Sequence, residues 1–308
     1  MIEFQRKIMG DPVRNKALAE ALKHVIVPGK SIVADIGSGT GFLSFLASKL
    51  GAKHCYLYEY SGALELSKKI AKENGIKNCT FIKKHSMHVK NPVQADVVIS
   101  ETLGNFALEE HMLETLMDAK RFLKPGGALI PSSLRQFVCP VIAPRLWKEI
   151  NVWKDIPFDL RWTAAEEMTL QNMYVKTVRP EELLSYGTQE WDRMDFQKKE
   201  KSIREATVRW TVAGDTAVYG FALFWECELL PGITLSTSPT KPATHWGQIF
   251  LPVGNPLKFQ QSDEMQLTLR SDTRLKTGVI LRWGIRQTRG GRTVAEQSLD
   301  MGKGLLHL

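Results

Sequence analysis

The chain has 308 residues, enough for one large domain or two ordinary ones. Apolar residues make up 43% and charged residues 24%, the balance of a soluble globular protein, which excludes a disordered or fibrous chain. Lys and Arg number 41 against 33 Asp and Glu, a net charge of +8. The basic residues are spread along the chain without arginine-rich blocks. The excess therefore reads as a solvated basic surface, and a nucleic-acid partner is not indicated beyond that charge.

Taken in chain order, Asp11-Pro12 marks a helix start, with a capping side chain followed by Pro at the first helical position. Val13, Ala17, Leu18, Ala21, Leu22 and Val25 form an apolar stripe at helical spacing, ended by Pro28-Gly29. Residues 31–36 predict a short strand running into Gly-Ser-Gly-Thr-Gly. A helix over 42–50, a strand over 55–58 and an amphipathic helix over 63–73 follow, the last stopping at Asn74-Gly75. Strands are expected over 80–82 and 97–100. A helix is expected over 108–123, stopped by Pro125-Gly126-Gly127. Strands alternating with helices imply an α/β domain, a mostly parallel sheet with helices on both faces.

The pattern changes near Pro131. Alternating strands over 206–212, 218–227, 248–252, 265–270 and 279–285 fit an antiparallel β domain. The expected boundaries are 1–131 and 132–308. Between them, residues 155–176 hold Phe158, Leu160, Trp162, Met168, Leu170, Met173 and Tyr174, many large apolar side chains for a connector.

Two segments carry chemistry. In the first, a strand ends at Asp35 and Gly37, Gly39 and Gly41 follow, so the backbone can turn sharply and approach a ligand. Neither the GxGxxG spacing nor the GK[ST] of a P-loop is present. Glu59 ends the next strand, where a carboxylate can bind both ribose hydroxyls, which favours S-adenosylmethionine over the alternatives, a nicotinamide cofactor or a mere tight strand–helix turn. In the second, Glu101 and Glu110 flank a loop that can fold back through Gly104. Two converging carboxylates would bind a planar guanidinium through its fixed fork of donors. Taken alone, the segment reads more simply as surface glutamates.

No apolar run approaches the roughly 20 residues of a membrane helix, and the N-terminus lacks a secretion signal. Cys55, Cys79, Cys139 and Cys227 form no CxxC pair and no Cys/His cluster. They read as buried thiols in a reducing, cytoplasmic setting, with no metal site and no membrane partner.

Together the segments resemble the protein arginine methyltransferase family over nearly the whole chain. The matching pieces are DPVRN, VADIGSGTGFLS, Glu59, SETLGNFALEEHML and STSPTKPATHWGQ, with Thr244-His245-Trp246 the most specific. The resemblance implies a Rossmann-like methyltransferase domain followed by an antiparallel β-barrel domain with a helical dimerisation arm at about 155–176. It implies S-adenosylmethionine as cofactor, S-adenosylhomocysteine as product, an arginine-containing protein or peptide as substrate, and a head-to-tail homodimer. Arg14 would pair with the cofactor carboxylate, Asp35, Gly37 and Gly39 would form its loop, and Glu59 would hold its ribose. Met112 would pack beside it, and Glu101 and Glu110 would clamp the guanidinium. The spacing of nine residues selects Glu110 rather than Glu109. His245 and Asp11 would form a pair beside the clamp, and Trp246 an aromatic wall for the substrate.

Departures from the family pattern are also present. The Tyr-rich helix before the cofactor motif is missing, so the lid is expected to be short or rebuilt. Thr102 and Asn105 replace aromatics of the double-acid loop. Ser86 stands where an acid meets the adenine amino group. A methyltransferase of small-molecule or other non-arginine amines on the same scaffold, or a non-catalytic binding protein, are the competing readings.

Overall fold

A computed structural model describes residues 2–304. Its first half alternates helix and strand: α1 (Ile2–Met9), α2 (Pro12–Val25), β1 (Ile32–Ile36), α3 (Phe42–Lys49), β2 (His54–Tyr58), α4 (Ala63–Glu73), β3 (Cys79–Ile82), β4 (Ala95–Ile99), α5 (Met112–Ala119) and β5 (Leu123–Ile130). The strands lie in the order β3-β2-β1-β4-β5 and every neighbouring pair is parallel. Val33, Ala34 and Ile36 of β1 and Val97, Val98 and Ile99 of β4 are all buried. Such near-continuous apolar strands are what a sheet covered on both faces requires. The chain runs from β1 outward to β2 and β3, then crosses back to β4 and β5. The order reverses between β1 and β4, and a crevice opens at their carboxyl ends.

The helix expected over 108–123 is interrupted. Glu110 and His111 have φ of 55° and 56°, in the left-handed region, so no α-helix passes through them. A short turn over Glu109–His111 precedes α5 instead. Pro125-Gly126-Gly127 is not a helix stop but a bulge within β5. Pairing with β4 jumps there from Ala95↔Leu123 to Val97↔Ala128.

After Pro131 the chain forms β6 (Ser133–Val141), α6 (Arg145–Ile150), α7 (Thr163–Leu170), β7 (Tyr174–Lys176), β8 (Gln189–Asp195), β9 (Ile203–Thr211), β10 (Thr216–Leu230), β11 (Ile233–Ser236), β12 (Gln248–Phe259), β13 (Glu264–Asp272), β14 (Ile280–Arg289), β15 (Arg292–Asp300) and α8 (Met301–Gly304). One sheet has the order β7-β12-β10-β6-β8, with β11 on β10; the other has the order β15-β14-β13-β9. All these pairs are antiparallel. β8 runs beside β9, and β12, which the short β7 pairs only over Gln248–Phe250, runs beside β15, so the sheets approach at both ends of the strand order without a ladder across these seams among the described residues. The expected barrel is therefore built as two sheets around a shared core.

The strands alternate as a half-solvated sheet should. Met265, Leu267 and Leu269 on β13 and Leu281, Trp283 and Ile285 on β14 point inward. The Trp283 indole N–H donates to Pro252 O at 2.8 Å, joining β14 to β12. β10 is buried on both faces from Gly220 to Trp225, because Leu146 and Ile150 of α6 cover Ala222 and Phe224 on its outer side. No described helix is long and apolar enough to cross a membrane.

Candidate active site

β1 delivers Asp35 and the glycine loop to the crevice. Gly37, Gly39 and Gly41 have φ of 71°, 54° and 86°, conformations that other residues adopt only under strain. A Cβ on Gly41 would also run into Ser67 Oγ and the Phe45 ring. The N–H groups of Gly37 and Ser38 donate to Tyr58 O at 2.9 and 3.2 Å, which fastens the loop to the end of β2. Glu59, buried one residue later, accepts Gly39 N on Oε2 at 3.0 Å and Ser61 N on Oε1 at 2.7 Å. Asp35 Oδ2 accepts both the amide and the hydroxyl of Ser44, at 3.1 and 2.7 Å. Burial pushes the Asp35 carboxyl up to about 7; the Ser44 hydrogen bonds oppose this and the Glu59 charge adds to it.

A cavity of about 530 Å³ occupies the crevice. Gly37, Gly39, Glu59, Tyr60 and the 84–86 turn line one side, and Glu101, Thr102, Glu110 and His111 line the other. Phe4, Gln5 and Ile8 of α1 close it from above, and Thr40 Oγ1 donates to Gln5 Oε1 at 3.4 Å. α1, described over eight residues, lies over this side of the cavity. A small extension of about 60 Å³ reaches Arg14 and Asp35.

β4 leads into the double-acid loop. Ser100 Oγ donates to Ile36 O at 3.0 Å, locking the start of the loop to the end of β1. Arg14, presented by the first turn of α2, donates from Nε to Glu101 Oε2 at 2.6 Å, and its Nη2 also pairs with that oxygen. Glu101 Oε1 accepts Leu103 N at 3.2 Å. The second half contributes the remaining supports: Trp246 Nε1 donates to Leu103 O at 2.8 Å, Trp225 Nε1 donates to Gly104 O at 3.1 Å, and Gly247 N donates to Asn105 Oδ1 at 2.9 Å. The two indoles meet edge to face, 5.0 Å apart. Glu109 closes the turn from within by accepting Asn105 N at 2.9 Å. Glu110 has no ion-pair partner among the described residues. Burial raises its carboxyl above the usual range, and the charges of Glu101 and Glu59 raise it further. Its left-handed backbone costs of order 1–3 kcal/mol, an expense found where a side chain must be aimed.

Asp11 caps α2 by accepting Arg14 N on Oδ1 at 2.9 Å, while its Oδ2 accepts both the amide and Nδ1 of His245 at 2.8 Å. Burial opposes ionisation of Asp11, but the hydrogen bonds from Arg14 and His245 outweigh it and hold the carboxyl below its ordinary value. An ionised Asp11 keeps the His245 proton on Nδ1 and leaves Nε2 as the acceptor. The imidazole lies against the Trp246 ring at 3.9 Å.

Of the residues expected from the sequence, Gly37, Gly39, Glu59, Ser86, Glu101 and Glu110 line the cavity, and Arg14 and Asp35 line its extension. Asp11, His245 and Trp246 stand behind the double-acid loop. Met112 is fully buried at the start of α5 and is not among the lining residues. Trp225 and the roles of Asn105, Glu109 and Ser44 are not among the site features expected from the sequence. Only Glu109 carried a signal, a third acid within one turn of the clamp. Among the described residues no group of His, Cys, Asp and Glu is arranged to hold a metal ion.

Residues 29–195 match a family described as a methyltransferase domain, and residues 133–296 match one described as the PRMT5 oligomerisation domain. Protein arginine N-methyltransferase 6 of Xenopus tropicalis is 29% identical over 86% of this chain and 82% of its own length. Protein arginine N-methyltransferase 1 of Oryza sativa subsp. indica is 31% identical over 80% of this chain and 66% of its own. Among solved structures, the Trypanosoma brucei PRMT1 enzyme-prozyme heterotetrameric complex with AdoHcy superposes with a TM-score of 0.85 at 20% identity, covering 98% of both chains. Arabidopsis thaliana protein arginine methyltransferase 10 gives 0.82, also at 20% identity and 98% coverage of both.

Proposed function

This chain belongs to the protein arginine N-methyltransferase family, and from that premise we propose that it moves a methyl group from S-adenosylmethionine to a guanidinium nitrogen of an arginine in a protein or peptide. The observation that carries this reading is one crevice with the glycine loop and Glu59 on one side and two carboxylates, Glu101 and Glu110, on the other. The residues fit the cofactor. Ser38 Oγ and Thr102 Oγ1 are buried without a partner beside the loop, ready for a polar ligand. Arg14, Asp35, Gly37, Gly39, Glu59, Ser86 and Glu101 would hold it, with Met112 buried behind them rather than lining the cavity. When bound, S-adenosylmethionine supplies a sulfonium methyl and leaves as the neutral thioether S-adenosylhomocysteine.

The protein's own groups do the positioning. Arg14 fixes the Glu101 carboxylate. Glu110, raised first by burial and then by Glu101, gains most from an arriving cation, which offsets both effects. The two carboxylates take two guanidinium nitrogens and draw positive charge towards themselves. The third nitrogen is then oriented at near-attack distance. The proton it sheds passes to Glu110 or to Nε2 of His245, whose Nδ1–H is held by Asp11. Trp246, expected as an aromatic wall, instead stands behind the double-acid loop and holds Leu103 O through its indole N–H. In this reading residues 1–131 bind the cofactor and residues 132–308 bind the substrate.

The proposal extends to a homodimer through the 155–176 arm, supported by Phe158, Leu160 and Trp162, which are 82%, 60% and 37% exposed on one short segment. The four free cysteines support a reducing, cytoplasmic setting.

The test is mass spectrometry of arginine-containing peptides incubated with isotopically labelled cofactor. Methylated arginine is expected from the native chain. Glu101→Gln and Glu110→Gln should each abolish it while S-adenosylhomocysteine still binds. Turnover retained in both variants overturns the clamp, and label found only on small amines favours a non-arginine methyltransferase.

A further inference from the structure

Between residues 49 and 90 the chain carries nine lysines and no arginine against three glutamates, so this stretch holds +6 of the net +8. Spaced singly in the sequence, these lysines read as diffuse charge. The fold gathers them on one edge of the parallel sheet. Lys49 ends α3 and Lys53 precedes β2; Lys68, Lys69 and Lys72 lie on α4. Lys77 leads into β3, the edge strand, Lys83 and Lys84 follow it, and Lys90 follows the next turn. All nine are exposed. Lys49 Nζ reaches Asn74 O at 3.3 Å, and His54 Nε2 meets Thr80 Oγ1 at 2.8 Å, so α3, α4, β2 and β3 share this surface. Of the three glutamates, Glu59 is buried in the cofactor loop and Glu65 is paired with Lys68 at 2.9 Å. Among the described residues no carboxylate pairs with the other eight lysines. From Lys77 to Lys83 the track runs about 20 Å at the rise of an extended chain.

A second observation tells what kind of anion fits. At the carboxyl end of the track, Tyr60 is 68% exposed and faces His85 with ring centroids 5.5 Å apart; His85 faces His88 at the same spacing. Lys83, Lys84 and Lys90 flank this row of rings. Lysines along a backbone path with open aromatic faces at its end match a single-stranded nucleic acid, whose phosphates take the cations and whose unstacked bases take the rings. A duplex hides its base faces, and an acidic protein or a lipid headgroup offers charge without them. Asn74 and Asn91, exposed in and beside the track, carry side-chain amide oxygens that can accept from a 2′-hydroxyl, the Asn74 Nδ2 being donated to Ile70 O.

We propose that the α4–β3 edge, with the Tyr60–His85–His88 row, is a binding surface for single-stranded RNA. The surface adjoins the cofactor cavity, whose mouth Tyr60, Lys84 and His85 also line. It resolves an awkward charge balance: a cationic substrate is repelled by a chain of net +8, and a bound strand cancels most of that field.

The experiment is fluorescence anisotropy of a labelled oligouridylate of about 15 nucleotides with the full chain over a salt series. Binding should weaken with salt by about 0.7 log units per log unit of salt for each phosphate engaged. Lys72→Gln/Lys77→Gln/Lys83→Gln should weaken binding about tenfold near 0.1 M salt and flatten that slope by about 2. Tyr60→Ala should weaken binding with the slope unchanged. Arg270→Gln/Arg282→Gln/Arg286→Gln, on the four-stranded sheet, removes the same charge and should stay within twofold of the native chain. An equal loss in that control reduces the effect to net charge and overturns the site. Equal affinity for DNA of the same length, for a duplex or for anionic vesicles overturns the choice of single-stranded RNA.

Discussion

The indole of Trp225 lies outside the cavity, yet its N–H is the bond that Gly104 O receives at the apex of the double-acid loop. Trp225→Phe removes the donor and keeps most of the ring. The carbonyl is then buried without a partner, at a cost of about 1–3 kcal/mol. Its neighbours Leu103 O and Asn105 Oδ1 remain bonded to Trp246 and Gly247, so the loop keeps two of its three ties to the second half. If the cost falls on the working position of Glu101 and Glu110, kcat drops about 5- to 150-fold, at 1.4 kcal/mol per decade. Binding of S-adenosylhomocysteine should change little, since no part of the glycine loop is touched. Trp283→Phe is the control, because that indole is equally buried and loses a comparable bond to Pro252 O far from the loop. Steady-state kinetics on an arginine peptide, run well below both melting temperatures, separates the two. A kcat within twofold of the native value for folded Trp225→Phe refutes the argument. An equal loss in Trp283→Phe shows that general loosening, not the loop tie, is responsible.

Three further expectations follow from the same geometry. Folded Asp35 keeps its proton up to about pH 7, whereas the unfolded chain releases it near pH 4. The native state therefore binds more protons between these values, and stability without cofactor falls as pH rises from about 4 to about 7, then levels. The swing is roughly 4 kcal/mol at most; urea midpoints across that range should decline in the native chain relative to Asp35→Asn, and parallel curves contradict the assignment. Gly41→Ala combines a φ of 86° with a collision against Ser67 and Phe45, so a loss of about 2 kcal/mol or more in chemical denaturation is expected, and an unchanged midpoint contradicts it. Phe158→Asp/Leu160→Asp should convert the proposed dimer to monomer in sedimentation while leaving the monomer folded; a persistent dimer moves the interface elsewhere.

What the sequence disclosed depended on how local the cause was. The helix over 63–73 and the strand cores of β10, β13 and β14 were legible because periodicity and turn residues act within a few positions. The glycine loop was legible because positive φ leaves its mark on residue identity. The break at Glu110 and His111 was not, since neither residue announces a left-handed backbone and the helical pattern runs on through both. β5 was hidden by its own Pro-Gly-Gly bulge, which imitates a helix stop. Trp225 lies 121 residues from the carbonyl it serves, a distance over which sequence pattern carries no pairing information. The lysine edge escaped for the same reason: only strand order and helix placement reveal that residues 49–90 share a surface.

Asp11 has two oxygens with two employers, one capping the helix that presents Arg14 and the other holding His245 of the second half. With the two indoles gripping the double-acid loop, this makes the proposed catalytic pocket a joint product of both halves of the chain. Recombination therefore has a strict unit of inheritance. A chimera that grafts the second half of a relative onto residues 1–131 will work only if the donor brings a histidine and two indoles in register with Asp11, Leu103 and Gly104. One that lacks them should bind cofactor and stay idle.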